Sequence, residues 1–157
     1  MKWLLIEKSI PNNTILIDDS LKNNIDENRY SPTVEFAKCV YVKFNKELFF
    51  GMLPNVSEIE FSISSIIRGG EFGEATCNIC RKRCLVDDIQ LKLNSSVTLT
   101  IHEWLEVMLH EMIHIYDYTM NTKKYCSMKD YDGHDEWFDE FSKKFIKFGL
   151  VVKPYHT

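Results

Sequence analysis

Apolar residues recur along this chain at two spacings, and each spacing predicts a type of element. Val34, Ala37, Tyr41, Phe44 and Leu48 repeat at helical period, and Phe36 and Val40 widen the stripe. Ser31-Pro32 supplies a capping hydroxyl followed by a proline at the first helical position, while Gly51 and Pro54 close the helix. From Glu58 to Ile63 the pattern alternates strictly, which turns Ile59, Phe61 and Ile63 toward a core. Gly69-Gly70 breaks the chain. Glu74 to Asn78 and Leu85 to Leu93 then read as two strands of a meander joined by a basic turn, with Ile89, Leu91 and Leu93 facing inward. The period returns to helical after Thr100-Ile101-His102-Glu103, a capping box that opens a helix to about Met120. Trp104, Leu105, Met108, Met112 and Ile113 are its expected buried residues. A loop through Lys123, Lys124 and Asp130 leads to a last helix starting near Asp132 to His134. Its aromatic stripe of Trp137, Phe138, Phe141, Phe145 and Phe148 reads as core packing.

Ahead of these elements stand two short apolar runs, Trp3 to Ile6 and Thr14 to Ile17, separated by Pro11-Asn12-Asn13. A small hairpin or a pair of edge strands fits them, and the polar stretch Asp18 to Arg29 reads as a connection. Residues 1–30 are therefore an N-terminal extension to a main unit of residues 31–157, in a single globular domain overall. The order of elements is helix, three strands, helix, helix. It predicts an α+β fold with helices packed on a small, mostly antiparallel sheet.

Composition narrows the class. An apolar fraction of 45% in 157 residues is ample for one buried core. The net charge of −4 argues against a chain built mainly to coat nucleic acid. Any such contact falls to local patches, Arg81-Lys82-Arg83 or Lys143, Lys144 and Lys147, which read first as solvated surface. Met1 to Lys8 offers only four apolar residues before charge returns, too few for a secretory h-region, and no stretch approaches a membrane span. With an odd count of five cysteines and no export signal, the expectation is reduced thiols in the cytoplasm.

The chemistry concentrates in His110-Glu111-Met112-Ile113-His114, an HExxH pentapeptide within the predicted helix. One helical turn separates the histidines, so both imidazoles project from one face and can share a zinc ion. Glu111 stands beside the first of them, where a carboxylate acts as general base toward water activated by the metal. Each ligating imidazole is expected to have its other nitrogen held by an acceptor. His134, twenty residues on, is the expected third ligand, with Asp132, Asp135, Glu136 and Glu140 as carboxylate rivals. Tyr116, Tyr118 and Tyr131 are candidate donors to a tetrahedral intermediate, with no basis for choosing among them, and His102 and His156 read as surface or terminal residues. Cys77-x-x-Cys80-x-x-x-Cys84 reads as a strand and turn that carry three thiols. A structural zinc site or a Cys77/Cys80 redox pair are its alternatives.

These residues resemble the SprT-like zinc metalloprotease domain, the family of Spartan and bacterial SprT proteins. The likeness is carried by His110-Glu111-Met112-Ile113-His114, then Asp132-Gly133-His134 and the nearby Phe138. Upstream, Tyr41 to Pro54 is similar to the family's first helix and its F-x-G-x-LP exit, and three strands follow in the family's places. The resemblance covers about residues 34 to 148. It implies a zincin-like minimal metalloprotease fold with the HExxH helix central and a shallow, open cleft. It further implies His110, His114 and His134 as zinc ligands, Glu111 as the catalytic glutamate, and protein substrates that include proteins crosslinked to DNA, with DNA as an activator. Asp135 stands where the family commonly has glycine, which adds negative charge beside the site. With no zinc ribbon or basic tail before Thr157, a stand-alone protease domain is expected. Two functions of other kinds remain open on the residues alone: a catalytically idle, zinc-stabilised protein-binding module, and a zinc hydrolase of a non-peptide substrate. Oligomeric state is not legible.

Overall fold

The structure is a computed structural model that describes residues 28–65, 67, 71–80, 82–127 and 136–152. The expected N-terminal strands within residues 1–27 lie outside the described residues. What is described is a mixed fold of helices on a small three-stranded sheet, consistent with the α+β expectation.

Helix α1 (Val34–Leu48) buries Phe36, Ala37, Val40, Tyr41, Phe44 and Leu48, the stripe its spacing predicts. Its start lies two residues beyond the expected one. Thr33, in extended conformation, is the N-cap, and its hydroxyl accepts from the Phe36 N–H at 3.1 Å. Both Ser31 and Thr33 carry a hydroxyl that can cap, and the chain enters the helix after the second of them. At the other end, Phe50 and Gly51 both adopt positive φ, 54° and 74°, and reverse the chain. The Asn45 side chain clamps the returning segment by bonding both the N–H and the C=O of Leu53, and the Tyr41 hydroxyl donates to Pro54 O at 2.6 Å.

Strands β1 (Ile59–Ser64), β2 (Gly73–Cys80) and β3 (Leu85–Asn94) form a sheet in the order β1-β3-β2. The β2–β3 hairpin is antiparallel, Gly73 facing Leu93 and Ala75 facing Leu91, with an irregularity between Thr76 and Asn78. β1 pairs parallel to β3, from Ile59 opposite Ile89 to Ser64 opposite Asn94. One of the two pairings is thus parallel, which corrects the expectation of a mostly antiparallel sheet. β3, with Ile89, Leu91 and Leu93 buried, takes the central place, and β1 pairs with it rather than with β2, the next strand in sequence.

Helix α2 (Ile101–Met120) opens on the expected capping box, in which the Thr100 hydroxyl accepts from the Glu103 N–H and the Glu103 carboxylate accepts from the Thr100 N–H. From Trp104 to Ile115 every residue except Glu106 is buried. The helix is enclosed because α1, the sheet and the C-terminal helices all pack on it. A short helix α3 (Thr122–Ser127) stands where a loop was expected. It is pinned by Asp117, a fully buried carboxylate on α2 that accepts from the Tyr125 hydroxyl, from Lys124 Nζ at 2.7 Å and from Asn121 Nδ2 at 2.7 Å. The aromatic stripe lies on α4 (Glu136–Ser142) and then on a 3-10 turn (Lys143–Phe148), not on one continuous helix, and Gly149 at φ 78° ends it. The expected start of that helix at residues 132–134 lies outside the described residues.

Cys84 and Cys126 form a disulfide that ties the β2–β3 turn to α3. This corrects the reduced-thiol expectation for those two residues. Proximity in the fold, invisible at a separation of 42 residues, brings them together. Among the described residues no helix is long and apolar enough to cross a membrane.

Candidate metal centre

Residues 110 and 114 sit one turn apart on α2, and packing buries both imidazoles to 4–5% exposure. Their Nε2 atoms lie 3.1 Å apart. Two nitrogens on one tetrahedral zinc stand about 3.3 Å apart when each bond is about 2.05 Å, so the pair is spaced to share an ion. Glu111, 4% exposed, completes the group: its Oε1 is 3.9 Å from His110 Nε2, and one ligand atom from each of the three residues falls within 4.8 Å of the others. A buried His110–Glu111–His114 group that can hold a metal ion is therefore present. The donor chemistry fits a divalent cation of intermediate softness.

Comparison with family models, curated proteins and solved structures finds no match for this chain. The site stands on its own geometry.

Glu111 is held from the side by the sheet edge. The N–H of Ala75 on β2 donates to its carboxylate, and the Tyr118 hydroxyl donates to the C=O of the same Ala75 at 3.0 Å. Both outward backbone groups of this edge residue are thus taken up by side chains of α2. Burial pushes the Glu111 carboxyl well above the usual carboxylate range; the nearby charges of Glu71 and Glu74 push the same way, and the Ala75 N–H opposes them. The approach is close because residue 73 is glycine: a Cβ there would meet Val107 Cγ1 at 3.0 Å and Glu111 Cγ at 3.2 Å.

The remaining candidates separate clearly. His134, Asp132, Asp135, Tyr131 and His156 lie outside the described residues. Glu140 is turned to solvent in an ion pair with Lys143 at 3.1 Å, and Glu136 is exposed, so neither carboxylate joins the histidine pair. His102 lies near the surface, 3.7 Å from Glu106, as expected. Tyr116 is stacked on Phe141 and Trp137, in an aromatic layer away from the imidazoles. Tyr118 does lie beside His114, ring to ring at 6.3 Å, but its proton is committed to Ala75 O and it serves as a strut. The Nδ1 atom of His114 is buried.

The cysteine run forms no metal group among the described residues, because Cys84 is bonded to Cys126, while Cys77 and Cys80 are free. Burial pushes the Cys77 thiol up to about 11, which makes it a poor redox nucleophile near neutral pH. Lys82 and Arg83 are exposed, as solvated surface would be, and Arg81 lies outside the described residues.

Sequence reasoning missed the sheet edge at Gly73–Ala75 and the anchor Asp117, and it named Tyr118 only as a candidate donor, not as the strut on Ala75. One signal was on hand: a lone glycine inside an alternating strand marks a close approach of backbone to a neighbour. Nothing in the sequence marks the other two.

Proposed function

We propose that this chain is a zinc-dependent metalloendopeptidase that hydrolyses peptide bonds in protein substrates. The observation that carries the reading is the buried carboxylate of Glu111 beside two converging imidazoles, on one helix and against a sheet edge. A purely structural site has no use for a base in that position. The assignment to the SprT-like family and to a zincin-like fold rests on the motif residues of the sequence, as does the inclusion of DNA-bound or DNA-crosslinked proteins among the substrates.

In this reading His110 and His114 would hold the metal through Nε2, with His134 as the third protein ligand. Bound zinc would supply Lewis acidity toward a carbonyl and toward water. Glu111 takes the proton of the attacking water on its carboxylate and delivers it to the leaving amine. The Ala75 N–H fixes where that carboxylate stands, and Tyr118 fixes Ala75 in turn. The enclosing α2 residues keep the carboxylate from bulk water, so its proton goes to the reacting groups.

The test is proteolysis of a DNA-binding protein by the purified, zinc-loaded chain, with and without single-stranded DNA, wild type beside Glu111→Gln. Loss of the base is expected to lower turnover by at least about a hundredfold while zinc binding persists. Cleavage stimulated by DNA supports the DNA-linked role, and cleavage indifferent to DNA removes that role alone. Equal activity in the variant refutes the assignment of Glu111. A zinc-loaded chain that cleaves nothing fits the binding module instead.

A further inference from the structure

Just past α1 the chain turns a large aromatic side chain out to solvent from a backbone conformation that such residues rarely adopt. Phe50 stands at φ 54° and is 79% exposed, and Met52 nearby is 48% exposed. A bulky side chain at positive φ crowds its own backbone, and this one gains little packing within the chain in return. The same two residues border a cleft of about 230 Å³ walled by five rings, Phe49, Tyr116, Phe141, Phe145 and Phe148. Phe49 ties the wall together, 5.9 Å from the Tyr116 ring and 5.5 Å from that of Phe145. A cavity of about 150 Å³ already admits benzene, so this cleft has room for a phenyl side chain. Charges of both signs stand at it as well. Glu47 lines one part and the exposed Lys144 and Lys147 another, with no ion pair between Glu47 and either lysine among the described residues.

We infer that this face docks a second copy of the chain about a two-fold axis. The Phe50 ring of each copy enters the aromatic cleft of the other, and Glu47 of each faces Lys144 and Lys147 of the other. A two-fold interface has to be complementary to itself. A patch that carries a projecting ring beside a ring-sized cleft, and an acid beside two bases, meets that condition in shape and in charge. A foreign partner would need only half of it. Eleven residues line the cleft, about half of one side of a standard interface, so the dimer is weak, with a Kd of about 10–100 µM. None of them belongs to the metal group, so the inference stands apart from the metal reading.

The experiment is sedimentation velocity of the full-length chain from about 5 to 500 µM, a span that brackets the expected Kd. A Cys80→Ser background keeps that exposed thiol from linking two copies. Phe50→Asn removes the ring and stays folded, because asparagine adopts positive φ readily. Every change counts twice across the axis, so association is expected to fall at least about a hundredfold. Glu47→Lys is expected to weaken it at least about tenfold, and adding Lys144→Glu and Lys147→Glu to that variant to restore most of the affinity. A chain that stays monomeric at the highest concentration overturns the inference and leaves the cleft to a foreign peptide. A dimer that persists in Phe50→Asn overturns it too, since its interface then lies elsewhere. Charge reversal without rescue overturns the two-fold pairing of Glu47 with the lysines.

Discussion

Gly73 offers the sharpest test of the packing between the sheet edge and α2. Its backbone is not in the positive-φ region, where only Gly51 and Gly149 are found among the described glycines, so alanine meets no conformational penalty and only space decides. The added methyl would stand 3.0 Å from Val107 Cγ1, 3.2 Å from Glu111 Cγ and 3.4 Å from Leu93 Cδ2. Val107 is 1% exposed, and a β-branched side chain in a helix has one favoured rotamer, so it cannot swing aside. Leu93 is fully buried on β3 and is equally confined. Overpacking of this kind costs about 1–3 kcal/mol. Replacing glycine also restricts the unfolded chain, which returns about 0.4–1 kcal/mol. The net for Gly73→Ala is a loss of about 1 kcal/mol, or a fall in Tm of about 3 °C in a chain of this size. Urea and thermal unfolding of the metal-free protein read it directly. The same substitution in a Val107→Ala background should cost less, since the methyl then has room, and that coupling separates crowding from any other effect. A Gly73→Ala protein as stable as wild type or more so, or costs that simply add in the double variant, would refute the reasoning.

Three further outcomes follow from other parts of the fold. Tyr125→Phe removes a donor from the fully buried Asp117 and should lower stability by about 1.5–3 kcal/mol in urea; an unchanged midpoint would mean that Lys124 and Asn121 suffice. Reduction of the Cys84–Cys126 disulfide opens a closure across 42 residues, which chain entropy values at about 4 kcal/mol, and unfolding with and without dithiothreitol measures it. With its thiol near 11, Cys77 is about one part in a thousand thiolate at pH 8, so its alkylation should rise about tenfold per pH unit between 8 and 10. Mass spectrometry should find the exposed Cys80 labelled first, and labelling of Cys77 that ignores pH would count against the burial assigned to it.

How far the sequence reaches is clearest from individual residues. The capping box Thr100–Glu103 fixed the start of α2 because its bonds span three residues and need nothing from the rest of the chain. The spacing of His110 and His114 set their common face for the same reason, since helix geometry is local. Ile89, Leu91 and Leu93 announced a strand, but periodicity carries no sign of direction or neighbour. The parallel pairing with β1 therefore waited for the packing of the sheet. At the start of α1 two nearby hydroxyls, Ser31 and Thr33, offered a cap, and the sequence alone did not choose between them.

Local interactions, those closing within a few residues, were written in the sequence: the helical stripes, the caps, the alternation of the strands and the placing of Glu111 between two imidazoles. Tertiary structure alone decided what meets across the chain. It set the Ala75 N–H on the Glu111 carboxylate, Phe138 over both histidines, Lys124 and Tyr125 of α3 on Asp117, and Cys84 against Cys126. Each of these joins residues from different elements, and their meeting depends on how helices and strands pack, a sum over the whole core that no local pattern encodes.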